Sequence, residues 1–98
     1  MNPLSIRNYQ AVAKPIGGDK QRQARNLGEA IGGLVTDLRK RKDWSQAELA
    51  HRVGCSESSI RILEMATKSP TLRTLENIAG AFSMDVVALI TTAKRRIR

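Results

Sequence analysis

Apolar residues in this chain recur at helical spacing. Ile31, Leu34, Val35 and Leu38 stand at i, i+3, i+4 and i+7, which is one face of a helix; it is predicted from about residue 21 or 26 to residue 42. Leu49, Ala50 and Val53 make a second, shorter face that stops at Gly54, where a left-handed residue carries no steric penalty. Ile60 and Leu63 mark a third helix over residues 56–65. Leu72, Leu75, Ile78, Ala79 and Phe82 mark a fourth. Polar residues punctuate these faces. Ser45 with Glu48 forms a Ser-x-x-Glu box, in which side chain and backbone satisfy each other's orphan N–H groups. Ser56 and Thr71 can cap the next two helices. Trp44 with Leu49, and Cys55 with Ile60, repeat the spacing of a hydrophobic staple.

The last apolar segment reads two ways. Val86 to Thr92 is rich in β-branched residues, as a strand would be. Asp85 can also cap a helix there, with Met84 and Leu89 at staple spacing, and that reading is favoured because both signals fit. The expected fold class is therefore all-α, a five-helix bundle, with a strand over 86–92 as the alternative. Helices this short need one another, since an isolated helix below about 12–15 residues is marginal in water. Gly28, Gly32 and Gly33 weaken the first helix by about 1 kcal/mol each relative to alanine. Close approach of a neighbouring helix would compensate. The 98 residues make one domain, and with three aromatics (Tyr9, Trp44, Phe82) its core must come from Leu, Ile, Val and Ala. Residues 1–20, with two prolines and Gly17-Gly18, read as a flexible arm. Residues 21–92 form the domain, and 93–98 a basic tail.

The segment from about Asn26 to Ile90 resembles the phage-repressor/Cro-type, XRE-like helix-turn-helix family. The resemblance rests on Ile31-Gly32, Val35-x-x-Leu38-Arg39, Ser45-Gln46-x-Glu48-Leu49-Ala50 and Val53-Gly54-Cys55-Ser56. It continues through Ile60-x-x-Leu63-Glu64, Pro70-Thr71-Leu72 and Thr74-Leu75-x-x-Ile78-Ala79-x-Ala81-Phe82. It implies a helix-turn-helix that offers its second helix to the major groove of double-stranded DNA. One departure stands out: Met65-Ala66 replaces the family's usual glycine-containing exit from that helix.

Charge agrees with such a partner. The formal net charge is +8, and residues 1–25 carry five cations against Asp19. A basic surface suits a polyanion, although many soluble proteins are basic. The arm could follow phosphates or a minor groove, remain solvated, or pack on the domain or a second subunit. Arg39-Lys40-Arg41-Lys42 complements the dipole at the end of the first helix and can also reach phosphates. Cys55 is the single cysteine, which excludes an intrachain disulfide and suits a small apolar residue in the turn. His51 is the single histidine and has no spaced partner for catalysis or metal binding. No cofactor, metal or enzymatic role is expected. Neither a membrane span nor a signal peptide is apparent, and the expected setting is the bacterial cytoplasm.

The site residues sort into positioning and reading. Gln46, just inside the second helix, suits a phosphate oxygen, and a glutamine at the matching family position contacts the DNA backbone. The resemblance adds Ser56, Lys68 and Ser69 to the phosphate set. On the third helix, the side away from Ile60 and Leu63 carries Glu57, Ser58, Arg61 and Ile62, the family's base-reading positions. Arg61 can make a bidentate bond to guanine, and Ile62 can touch a thymine methyl or complete the core. Glu57 can favour the helix N-terminus, orient Arg61 or accept from cytosine. Arg39 and Glu64 match a structural salt bridge of the family. The expected function is a homodimeric repressor on an inverted-repeat operator. The alternative is an antitoxin or antiactivator whose main partner is a protein, a toxin or an activator, with autoregulatory DNA binding.

Overall fold

The computed structural model describes residues 24–98. Its five helices are α1 (Leu27–Arg41), α2 (Gln46–Val53), α3 (Glu57–Met65), α4 (Leu72–Ala81) and α5 (Val86–Lys94). The last segment is a helix: the Asp85 carboxylate accepts from the Val87 N–H at 2.7 Å, and Leu89 is fully buried. Cap and staple thus outweigh the β-branched content of 86–92. Among the described residues the only β feature is an isolated parallel bridge between Ala24 and Ile97. The arm expected over 1–20 lies outside the described residues.

Each helix starts at a side chain that accepts from an otherwise orphan amide. Asn26 takes the Glu29 N–H, Ser45 that of Glu48, Ser56 that of Ser59 and Thr71 that of Thr74. The Ser45–Glu48 box is only half formed. The Glu48 carboxylate turns to Arg52, 2.7 Å away, in place of the Ser45 amide. An exposed guanidinium four residues on is the stronger, charge-assisted donor.

Helix exits share one device, a residue in the left-handed region. Asp43 (φ 60°), Gly54 (87°), Ala66 (56°) and Ser83 (58°) follow α1, α2, α3 and α4. The α1 and α4 exits match bond for bond. The N–H of Trp44 returns to the Arg39 carbonyl at 3.1 Å, and that of Met84 to the Ala79 carbonyl at 2.8 Å. Only one of the four residues is glycine, so three carry the Cβ strain of the left-handed region.

Every helix gives at least one fully buried side chain to a single core: Leu34 and Val35, Leu49, Ile60, Ile78 and Leu89. Each such burial contributes about 1.5–3 kcal/mol, which is what makes helices of eight to ten residues viable. α1 packs on both α3 and α5. At Gly32 a Cβ would stand 2.7 Å from the Leu63 and Glu64 carbonyl oxygens of α3. The glycine that weakens α1 is therefore what lets α3 approach it. Residues 93–98, expected as a tail beyond the domain, pack against it: Ala93 is buried and closes α5, and Ile97 lies on the core.

Two substitutions should move stability in opposite directions. Ala66→Gly removes left-handed strain of about 1–2 kcal/mol. Part of that gain, about 0.4–1 kcal/mol, is lost to the freer unfolded chain, leaving a net rise of up to about 1.6 kcal/mol. Gly32→Ala gains about 1 kcal/mol of helix propensity. It also sets a methyl against backbone that cannot swing aside, for which overpacking costs about 1–3 kcal/mol, so it should destabilise. Urea unfolding measures both, and a stabilised Gly32→Ala would contradict the close packing of α1 on α3.

Candidate nucleic-acid interface

α3 is anchored on one side and open on the other. Ile60 and Leu63 are buried, which turns Glu57, Ser58, Arg61 and Ile62 outward in a single exposed row. Ile62 is 37% exposed, so it belongs to the presented side and not to the core. Met65, 63% exposed, extends the row. No ion pair joins Glu57 to Arg61 among the described residues, and Arg61 is exposed. Ser56 is engaged in capping, accepting from Ser59 N–H at 3.1 Å and pairing with the Ser59 hydroxyl at 3.0 Å.

What holds this row in place is a polar cluster at the far end of α3. Glu64 Oε2 accepts from Arg39 Nε at 2.7 Å, and its Oε1 from Arg39 Nη2 at 3.0 Å. The two side chains are only 11% and 6% exposed. A third guanidinium nitrogen, Nη1, donates to the Trp44 carbonyl at 3.0 Å, in the turn that leads into α2. Gln46 completes the cluster, its Nε2 donating to Glu64 Oε1 at 2.9 Å. A carboxylate only accepts, so this contact also decides which end of the Gln46 amide faces inward. One N–H and the amide oxygen of Gln46 remain for other partners. Sequence reasoning placed Gln46 toward DNA alone. Its tie to Glu64, eighteen positions away, becomes visible only once α2 and α3 are folded together.

The Trp44 ring joins the turn to the rest of the domain. It stacks on Phe82 with centroids 5.4 Å apart, and the Arg52 guanidinium lies 4.2 Å over its centroid. Lys68 and Ser69 are exposed in the loop after α3. That loop faces residues 26–28 across an open groove of about 410 Å³. Cys55 is partly buried in the α2–α3 turn, and burial pushes its thiol pKa up, which disfavours the reactive thiolate. His51 is exposed on α2, away from any acidic or thiol cluster able to hold a metal among the described residues.

A short helix pair, a pinned second helix and an outward polar row define a helix-turn-helix. The model of the helix-turn-helix family matches residues 35–89, more than half the chain. The chain belongs to the phage-repressor, XRE-like helix-turn-helix family. The similar proteins agree. The cryptic phage CTXphi transcriptional repressor RstR of Vibrio cholerae is 29% identical over 63 residues, covering 64% of this chain and 57% of that protein. The immunity repressor protein of Bacillus phage phi105 is 32% identical over 60 residues, covering 61% of this chain and 42% of that one. The chain thus spans about half the length of these relatives. Among solved structures, the clp gene regulator ClgR of Corynebacterium glutamicum shares the fold with a TM-score of 0.69 at 23% identity, over 76% of this chain and 97% of that one. This is a family of DNA-binding transcriptional regulators. No single helix among the described residues is long and apolar enough to cross a membrane.

The Glu64 cluster yields a double-mutant test. Arg39→Met leaves a buried carboxylate with one neutral donor, and Glu64→Gln leaves a buried guanidinium without its counter-charge. Removing one partner of a buried pair costs about 3–5 kcal/mol, and the Glu64→Gln cost should lie at or below that range because the amide still accepts from Arg39 and Gln46. The double mutant should cost clearly less than the sum, since neither charge is then stranded. Additive losses in a denaturation cycle would show that the two side chains are not energetically coupled.

Proposed function

We propose that this protein is a sequence-specific repressor that binds an inverted-repeat operator as a homodimer, with α3 in the major groove. The observation that carries the reading is the exposed row Glu57, Ser58, Arg61 and Ile62 on a helix whose other face is buried and whose end is pinned through Glu64. A recognition helix needs that combination, because an error in its tilt misplaces every base contact at once. Arg61 offers two parallel N–H groups to guanine O6 and N7, Ser58 a hydroxyl, and Ile62 a surface for a thymine methyl. Glu57 lies in the first turn of α3, where its charge favours the helix dipole.

Gln46, Ser56, Lys68 and Ser69 are the positioning set, lying at the starts of α2 and α3 and in the loop after α3. Phosphate contacts of this kind fix register and carry no base information. Gln46 has one N–H left for a phosphate after bonding Glu64. Pairing of two copies follows from size. A nine-residue α3 presents few base-reading side chains, and two half-sites about 34 Å apart double the contacts on one face of the duplex. The repressor role is supported by the names of the similar phage proteins.

Base readers and positioners should fail differently. Arg61→Ala should lose roughly 1–3 kcal/mol per half-site on the cognate operator and flatten the preference at one base pair in each. Gln46→Ala leaves Glu64 its two Arg39 bonds, so α3 keeps its tilt, and it should weaken binding to all duplexes by similar factors with their ranking intact. Titration of both variants against single-base variants of an operator selected from random duplexes checks this. If Arg61→Ala keeps the wild-type ranking at every position, α3 is not the reader.

A further inference from the structure

Residues 94–98 lie outside the matched region 35–89 and carry four cations in five positions: Lys94, Arg95, Arg96 and Arg98. Only Arg96 points inward. Its Nη2 donates to Asp37 Oδ2 of α1 at 2.7 Å, with both side chains largely covered. Its carbonyl accepts from the Ala24 N–H at 3.1 Å, and the Arg98 N–H donates to the Ala24 carbonyl at 3.3 Å. Between these bonds Ile97 packs on the core, opposite a buried Ala24. One ion pair, two backbone bonds and an apolar contact thus fix a short, strongly basic segment to the domain.

The remaining cations, Lys94, Arg95 and Arg98, are exposed and form no such pair among the described residues. The adjoining Arg25 is taken by Glu29 at 2.7 Å, which raises the guanidinium pKa through that hydrogen bond and charge. Position supplies the second argument. Ala24 is four residues from Gly28, and a chain spans at most about 3.5 Å per residue, or about 14 Å here. Residues 26–28 form one wall of the open groove whose other wall is residues 66–69. Ala24, and with it the backbone of residues 96–98 that it bonds, therefore lies within about 14 Å of that groove wall, while the Arg96 side chain runs along α1 to Asp37 in its second half.

We propose that Lys94, Arg95 and Arg98 form a second phosphate-contacting surface, which engages the duplex backbone beyond the base pairs read by α3. The inference rests on the operator-binding reading above. Preorganisation distinguishes this surface from a loose basic tail: the Arg96–Asp37 pair and the Ala24 bridge hold the cations in place before DNA arrives. Asp37 and Arg96 are positioning residues and touch no phosphate.

The test is the salt dependence of binding to the selected operator, in duplexes with long flanks and with flanks cut back to the operator edges. Each phosphate contact contributes about 0.9 to the slope of log affinity against log salt. Lys94→Ala/Arg95→Ala/Arg98→Ala should lower the slope on long duplexes by about 2–3 per protomer, or about 5 for the bound homodimer, with an unchanged ranking of operator variants and an unchanged unfolding midpoint. Wild type should lose affinity when the flanks are removed, whereas the triple variant should be indifferent. Asp37→Asn, which deletes no cation, should also reduce the flank dependence. A triple variant with the wild-type slope and flank dependence, in a protein that still ranks operators, overturns this inference alone. Loss of binding to single-stranded RNA with duplex binding unchanged overturns it in favour of another polyanion. Failure of the wild type to prefer any duplex overturns the operator reading itself.

Discussion

A carboxylate that is 94% buried on the helix proposed to face DNA is a liability unless its charge is met inside the protein. Glu64 meets that condition through three donors from two other elements, two from Arg39 on α1 and one from Gln46 on α2. The same guanidinium holds the Trp44 carbonyl in the turn between those helices. The angle between α2 and α3 is thereby tied to α1 by directional bonds, where apolar packing alone would tolerate slippage. Gly32 belongs to the same constraint. Its missing side chain admits the Leu63 and Glu64 carbonyls, bringing the backbone that carries Glu64 against α1.

This division explains the two faces of α3. One side is held by Ile60, Leu63 and Glu64. The other is left to Ser58, Arg61 and Ile62, none of which the fold requires. On the proposed reading, changes on the outward row alter what is read without unfolding the reader, whereas changes at Arg39 or Glu64 act on both. Gln46 stands between the two regimes, since its amide serves the buried carboxylate and still keeps one N–H and its oxygen for another partner.

Much of this was legible in the sequence because caps and stripes are local. Ser45, Ser56, Thr71 and Asp85 stand where helices begin, and the periodic Leu, Ile and Val residues name the core. The exposed row of α3 follows from the buried one by helical geometry. What escaped was decided by neighbours distant in sequence or by backbone without a residue signature. Asp43, Ala66 and Ser83 adopt the left-handed conformation that only Gly54 announces. Glu48 completes a capping-box pattern but prefers Arg52. The basic 94–98 segment carries the composition of a loose tail, and nothing local reveals that Asp37, 59 positions away, receives Arg96.

The central claim is that α3 enters DNA as a unit already locked by Glu64. The most direct measurement is a titration of isotopically labelled protein with its selected operator, followed by NMR. The largest backbone amide shifts should fall on Ser58, Arg61, Ile62 and the start of α2. The Arg39 Nε–H resonance, held by Glu64 in the free protein, should keep its position through the titration. Largest shifts on the outer faces of α4 and α5, or a displaced Arg39 Nε–H signal, would contradict the account.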